Sequence, residues 1–225
     1  MTSRRFGLLL SAAAVCAPQL TAQQDVTARL VGRVPPAVAV AVRALADSAA
    51  ARGLPADPLV DKAIEGGAKG VSPERVVAAV RLVLAELDAA AAAIRIGRVA
   101  IPDGETIEAG AFAIATGMTG PQISQLVQLS ATPYRPAATL RVAGTLTALG
   151  VPAQQTVDLV RETIRNGRGG EGADLLTLPG RVQSQVARGT SPAQAAAGLT
   201  RATAARGAPP GVPKGNKGQG NPRRP

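Results

Sequence analysis

The sequence predicts an all-α protein made of antiparallel helix hairpins joined by Gly-apolar-Pro/Ser turns. Three observations carry this. Apolar residues recur at helical spacing along most of 36–205, one short phrase punctuates them, and no stretch alternates with period two. The longest segment, 73–96, is the cleanest. Val76, Val80, Val83, Leu87, Ala90 and Ile94 follow one another in steps of four and three, while Arg75, Arg81, Glu86, Asp88 and Arg95 lie off that seam.

The phrase occurs at Gly53, Gly70, Gly117, Gly150 and Gly189, followed by Leu-Pro, Val-Ser, Met-Thr, Val-Pro and Thr-Ser. Each glycine follows a helix-forming run, where a left-handed residue closes the last turn at no Cβ cost. The next residue can fold back on that turn, and the proline, serine or threonine opens the following helix. Counting each glycine as zero, small or apolar residues recur at plus six and plus ten: Leu59 and Ala63, Val76 and Val80, Ile123 and Val127, Thr156 and Val160, Ala195 and Leu199. Spacings of 17, 47, 33 and 39 residues between the glycines exclude a strict solenoid period. A coarser match pairs Pro36, its helix and Gly53-Leu54-Pro55 with Pro136, its helix and Gly150-Val151-Pro152. Two readings fit: a tandem duplication with halves 35–116 and 117–206, or the capping grammar that any helix hairpin shares.

Residues 1–22 read as a signal peptide. Arg4 and Arg5 precede an apolar run from Phe6 to Ala17 that is too short to cross a bilayer, and Leu20-Thr21-Ala22 fits a cleavage site. Cys16 is the only cysteine, and Val15 before it makes a poor lipoprotein signal. Cleavage after Ala22 would leave no thiol and no disulfide. Residues 23–34 read as a polar lead-in, and 35–206 as the helical domain. Expected helices cover 36–52, 55–66, 73–96, 103–116, 121–130, 136–149, 152–166, 172–187 and 192–205. The join at 100–102 has a short β-like look with nothing to pair with. Residues 167–172 (GRGGEG) form the most flexible internal loop expected. Residues 207–225, with five glycines and five prolines and almost no apolar content, read as a disordered tail.

The helical part is long enough to bury roughly two-thirds of its unfolded surface. After cleavage its only aromatic residues are Phe112 and Tyr134, so the core is aliphatic and shallow grooves are expected rather than a deep apolar pocket. Charge is uneven. Residues 23–134 carry ten basic and eleven acidic side chains, whereas 135–206 carry nine arginines against four acids. The tail adds Lys214, Lys217, Arg223 and Arg224. Such a field favours anionic partners without specifying one.

The chain has no histidine, which removes the commonest general base and zinc ligand. Serine nucleophiles therefore lack their usual partner, and Gly66-Gly67 and Gly169-Gly170 lack the frame of a phosphate loop. Metal and cofactor sites are not expected. Asp57, Asp61 and Glu65 lie at i, i+4 and i+8, as a solvated acidic face or a ligand stripe would. Asp103, Glu105 and Glu108 fit a first helical turn complementing the dipole, and Glu86 and Asp88 point in different directions. Arg161, Arg165 and Arg168 form a basic edge, either an anion-binding ledge or cations at a helix C-terminus. Tyr134, between Pro133 and Pro136, fits a turn anchor better than a stacking platform. Helix-turn-helix spacing at 55–95 offers a groove only Glu74 and Arg75, so specific nucleic-acid binding is not expected.

These readings lead to an exported, periplasmic or extracellular, non-catalytic helical scaffold or binding module of the bacterial-type cell envelope. Its expected partner is another protein or an anionic envelope polymer, with the basic C-terminal half as a tether and no transmembrane span in the mature chain. The alternative is a carboxylate-only glycan hydrolase, whose two acids would flank a cleft.

Overall fold

The computed structural model describes residues 26–130, 134–166 and 173–207. The expected signal peptide with Cys16, the glycine loop at 167–172 and tail residues 208–225 lie outside the described residues. Among those described, every regular element is a helix and none is a strand, as the periodicity requires. The join at 100–102 is irregular.

The helices are α1 (Pro36–Ala51), α2 (Asp57–Ala68), α3 (Pro73–Ile96), α4 (Gly104–Ala115), α5 (Gly120–Leu129), α6 (Pro136–Ala148), α7 (Ala153–Asn166), α8 (Ala173–Leu176), α9 (Leu178–Val186) and α10 (Pro192–Gly207). Two compact units divide between Asp88 and Ala89, inside α3.

In the first unit α1 packs on α2. Its core is aliphatic, with Val42, Leu59, Val60, Ala63 and Val80 fully buried. The polar lead-in is more ordered than expected: 26–30 is helical, and Leu30 is buried as an apolar anchor. α2 begins at Asp57 instead of 55, because Pro58 lacks an N–H and belongs in a first helical turn. It then continues through Gly66 and Gly67. A Cβ on Gly66 would fall 2.7 Å from Val76 Cγ2, and one on Gly67 would overlap the Arg33 carbonyl oxygen. That glycine pair therefore permits close packing.

In the second unit α4 lies along α6, α10 lies along α7, and α5 contacts both α6 and α7. The expected helix at 172–187 is two helices broken at Thr177, since Pro179 opens a new first turn at α9. On α3 the seam shifts by one residue midway: Leu84 is buried where the spacing points to Val83.

All ten residues at plus six and plus ten from the phrase glycines are buried. The five glycines have φ between 63° and 106°, and each closes its helix with the same two hydrogen bonds. At Gly53, for example, its own N–H donates to the Ala50 carbonyl and the Leu54 N–H donates to the Ala49 carbonyl, both at 3.0 Å. The folding-back residue is buried at Leu54, Met118 and Val151 but exposed at Val71. A sixth closure, at the end of α3, has the same hydrogen bonds with Arg98 in the left-handed position at φ 75°. Gly97 just before it is needed for another reason: a Cβ there would lie 2.8 Å from Val127 Cβ.

Opposite stability effects are expected at two of these closures. Gly150→Val puts a β-branched residue at φ 90° with its Cβ against Pro192, and should cost about 2 kcal/mol. Arg98→Gly relieves a left-handed Cβ, partly offset by added freedom in the unfolded chain, and should gain on the order of 0.5–1 kcal/mol. Urea denaturation of both variants checks the pair. A neutral Gly150→Val would contradict the closure mechanism.

Candidate binding groove

Sequence places a run of alanines in the last turns of α3, and these expose no side chain beyond Cβ. α5 therefore approaches closely. Ser124 donates to the Ala93 carbonyl at 2.8 Å and to the Gly120 carbonyl at 3.1 Å, and a Cβ on Gly120 would meet Ala93 Cβ at 3.8 Å. Between the two helices runs an open groove of about 810 Å³. Ala89, Ala92, Ala93, Ile96 and Pro121 supply apolar surface, and Gln122, Gln125, Gln128 and Gln154 supply amides. No charged residue is among those lining it.

The four amides are not equally engaged. Gln122 Oε1 accepts from the Thr119 N–H at 2.9 Å, which caps α5 and leaves the Gln122 amide N–H groups as donors. Gln154 Nε2 donates to Asp158 at 3.3 Å, so its oxygen remains an acceptor. Gln125 and Gln128 have no hydrogen-bond partner among the described residues. Hydrogen-bond donors and acceptors thus lie along an apolar floor, with the Thr119 and Ser124 hydroxyls among the lining and the Asp158 carboxylate behind Gln154. A second, smaller depression of about 500 Å³ is lined by Gly97, Arg98, Val99, Val127, Gln128, Ser130 and Pro136.

The residues singled out from sequence lie elsewhere. Arg161 turns along its own helix to Asp158 at 2.7 Å, while Arg165 is exposed. Arg168, Lys214, Lys217, Arg223 and Arg224 lie outside the described residues. Asp57 and Asp61 both pair with Arg29, the latter at 2.7 Å, and both remain largely exposed on a solvated face. Asp103 caps α4 by accepting from the Thr106 N–H at 2.7 Å, and hydrogen bonding from the Thr106 side chain, then from its backbone N–H, holds its carboxyl below the ordinary range. Glu105 pairs with Arg135 at 3.6 Å, and Asp88 pairs with Arg52. Tyr134 is buried, and burial, then the charge of Asp174, pushes its hydroxyl pKa up. Among the described residues no three metal-ligating side chains are grouped. Sequence reading missed the groove, although Gln122, Gln125 and Gln128 form a visible i, i+3, i+6 row on one helix.

No family model matches this chain, and no curated protein or solved structure matches it either.

The acids of the first unit have opposite pH signatures. Lys69 and then Lys62 hydrogen-bond to Glu65 and lower its carboxyl from 4.5 to about 2. Its contribution to stability is present above its unfolded value and is lost as pH falls toward 2. Burial raises Glu86, so its ionisation costs stability as pH rises above its unfolded value, and that cost disappears in acid. Lys69→Met should move the Glu65 titration back toward 4.5 and weaken the loss of stability in acid. Carbon-detected NMR titration of the Glu65 carboxyl reads this directly. An unmoved midpoint would rule out Lys69 as the main cause.

Proposed function

We propose that this chain is an exported, non-catalytic helical binding module of the bacterial-type cell envelope, and that its neutral groove holds an extended polypeptide segment of a partner protein. The observation that carries this reading is the groove itself, an apolar floor edged by glutamine amides. An extended peptide presents alternating backbone N–H and C=O groups, which amide side chains can match with either donor or acceptor. A glycan would ordinarily ask for an aromatic platform, and none of the lining residues is aromatic. A carboxylate-only glycan hydrolase would need paired acids where the groove has amides.

In this reading the helices pair as antiparallel hairpins. Both Pro36 and Pro136 start helices that end in the same left-handed closure, which supports a duplicated hairpin ancestry. Residues 1–22 direct export, and the basic C-terminal half, with its tail, holds the module on an anionic envelope surface. Exposed Arg165 and the tail cations Lys214, Lys217, Arg223 and Arg224 contribute to that attachment.

Two measurements test the proposal. Panning random peptides on the mature protein should enrich uncharged sequences, and the double change Gln125→Ala/Gln128→Ala should weaken the enriched peptides about tenfold. Enrichment indifferent to that change would remove the groove from the site. Intact mass from the native host should show a chain starting at Gln23; one starting at Met1 or Thr2 would remove export.

A further inference from the structure

The loop between α3 and α4 exposes a combination that neither its capping role nor the groove requires. Ile101 is 91% exposed and Ile96 is 71% exposed, the two highest values among the large apolar side chains of the second unit. Arg95 and Arg98 lie within the same seven-residue stretch, both exposed and with no ion-pair partner among the described residues. Asp103, the nearest acid in sequence, is committed to the cap of α4. Arg98 also occupies the left-handed position that glycine fills at the five other closures of this type. Keeping a Cβ there has an energetic cost, and the side chain it retains is a cation beside the smaller depression, where Gln128 offers an amide.

We propose that this loop seats on an anionic lipid surface. Ile101 and Ile96 enter the boundary between headgroups and acyl chains, while Arg95 and Arg98 pair with lipid phosphates. Exposed apolar residues flanked by cations suit that boundary, which has apolar and anionic layers in sequence. A second copy of this chain fits the patch less well. Two isoleucines cannot supply the contact area of a stable dimer, and facing copies would bring four arginines together. This attachment shares Ile96 with the groove but does not depend on the groove's amides or on export. It is distinct from the basic tail, which can draw the protein to the same surface without inserting.

The full-length chain has no tryptophan, so Ile101→Trp introduces a single reporter at the loop tip. Its emission should shift to the blue on adding vesicles of equimolar phosphatidylglycerol and phosphatidylcholine, and should stay put with phosphatidylcholine alone. In co-sedimentation with the anionic vesicles, Ile101→Asp should lower the partition coefficient roughly tenfold. Arg98→Gly should lower it about fivefold while raising thermal stability, a pair of signs that damage to the fold would not produce. Binding without a blue shift, or binding unchanged in Ile101→Asp, would assign the attachment to the tail alone and overturn the proposal. A blue shift that grows with protein concentration in the absence of vesicles would overturn it too, in favour of self-association.

Discussion

Close helix approach is the constraint on which the rest of this structure depends. With so few aromatic side chains, the interior must be filled by alanine, valine and leucine, and these fill space only if the helix axes come near one another. At α4 and α6 a Cβ on Gly144 would fall 2.6 Å from Phe112 Cδ1 and 3.1 Å from the Ala113 backbone. Gly110 meets Ala90 and Ile94 in the same manner, with its Cβ at 3.0 and 3.3 Å. Glycine inside a helix has an entropic penalty of about 1 kcal/mol relative to alanine. Here dispersion attraction along the whole seam offsets that penalty. The same thinness explains the groove between α3 and α5: helices without bulky side chains leave open space between them.

The left-handed closures follow from this packing. Helices that approach closely and then reverse need short connections, and the paired hydrogen bonds at Gly53, Gly70, Gly117, Gly150 and Gly189 end each helix within one residue. At Leu54, Met118 and Val151 the residue after the glycine also enters the core, so one element both stops the helix and adds to the packing. The closure at Arg98 has the same hydrogen bonds but divides its two requirements between neighbours. Gly97 gives room to Val127, and Arg98 takes the backbone turn. Glycine at both positions would satisfy the geometry with less strain, which makes the retained arginine informative about the surface rather than about the fold.

Much of the architecture was legible because capping chemistry is local. A glycine, the residue after it and the next proline or serine determine a helix end without reference to anything distant, and the plus-six and plus-ten positions then fall on the buried face. What escaped depends on contacts between segments. Leu30 is buried although its segment is short and polar, and Arg29 reaches Asp57 and Asp61 across 28 and 32 residues of sequence. Val83 and Leu84 are equally apolar, so only the partner surface could choose between them. The groove was hidden for the same reason: Gln125 and Gln128 look like ordinary solvated glutamines until the alanines of α3 are placed opposite them.

Both units combine ion pairs with unpaired cations. In the first, carboxylates pair with Arg29, Lys62, Lys69 and Arg52, while Arg33, Arg75 and Arg81 are exposed with no ion-pair partner among the described residues. In the second, Arg135 and Arg161 are paired, Arg95, Arg98 and Arg165 are exposed without such partners among the described residues, and the tail adds charge of the same sign. Exposed pairs contribute little to stability, so unpaired arginines are not a defect of folding; they are charge left available to solvent and to anions. The groove and the cationic, apolar edge meet at Ile96, which lines the one and belongs to the other, while the amides and the arginines are separate. Each contact would be weak alone. In the proposed reading, contacts carried on one chain would raise one another's effective concentration.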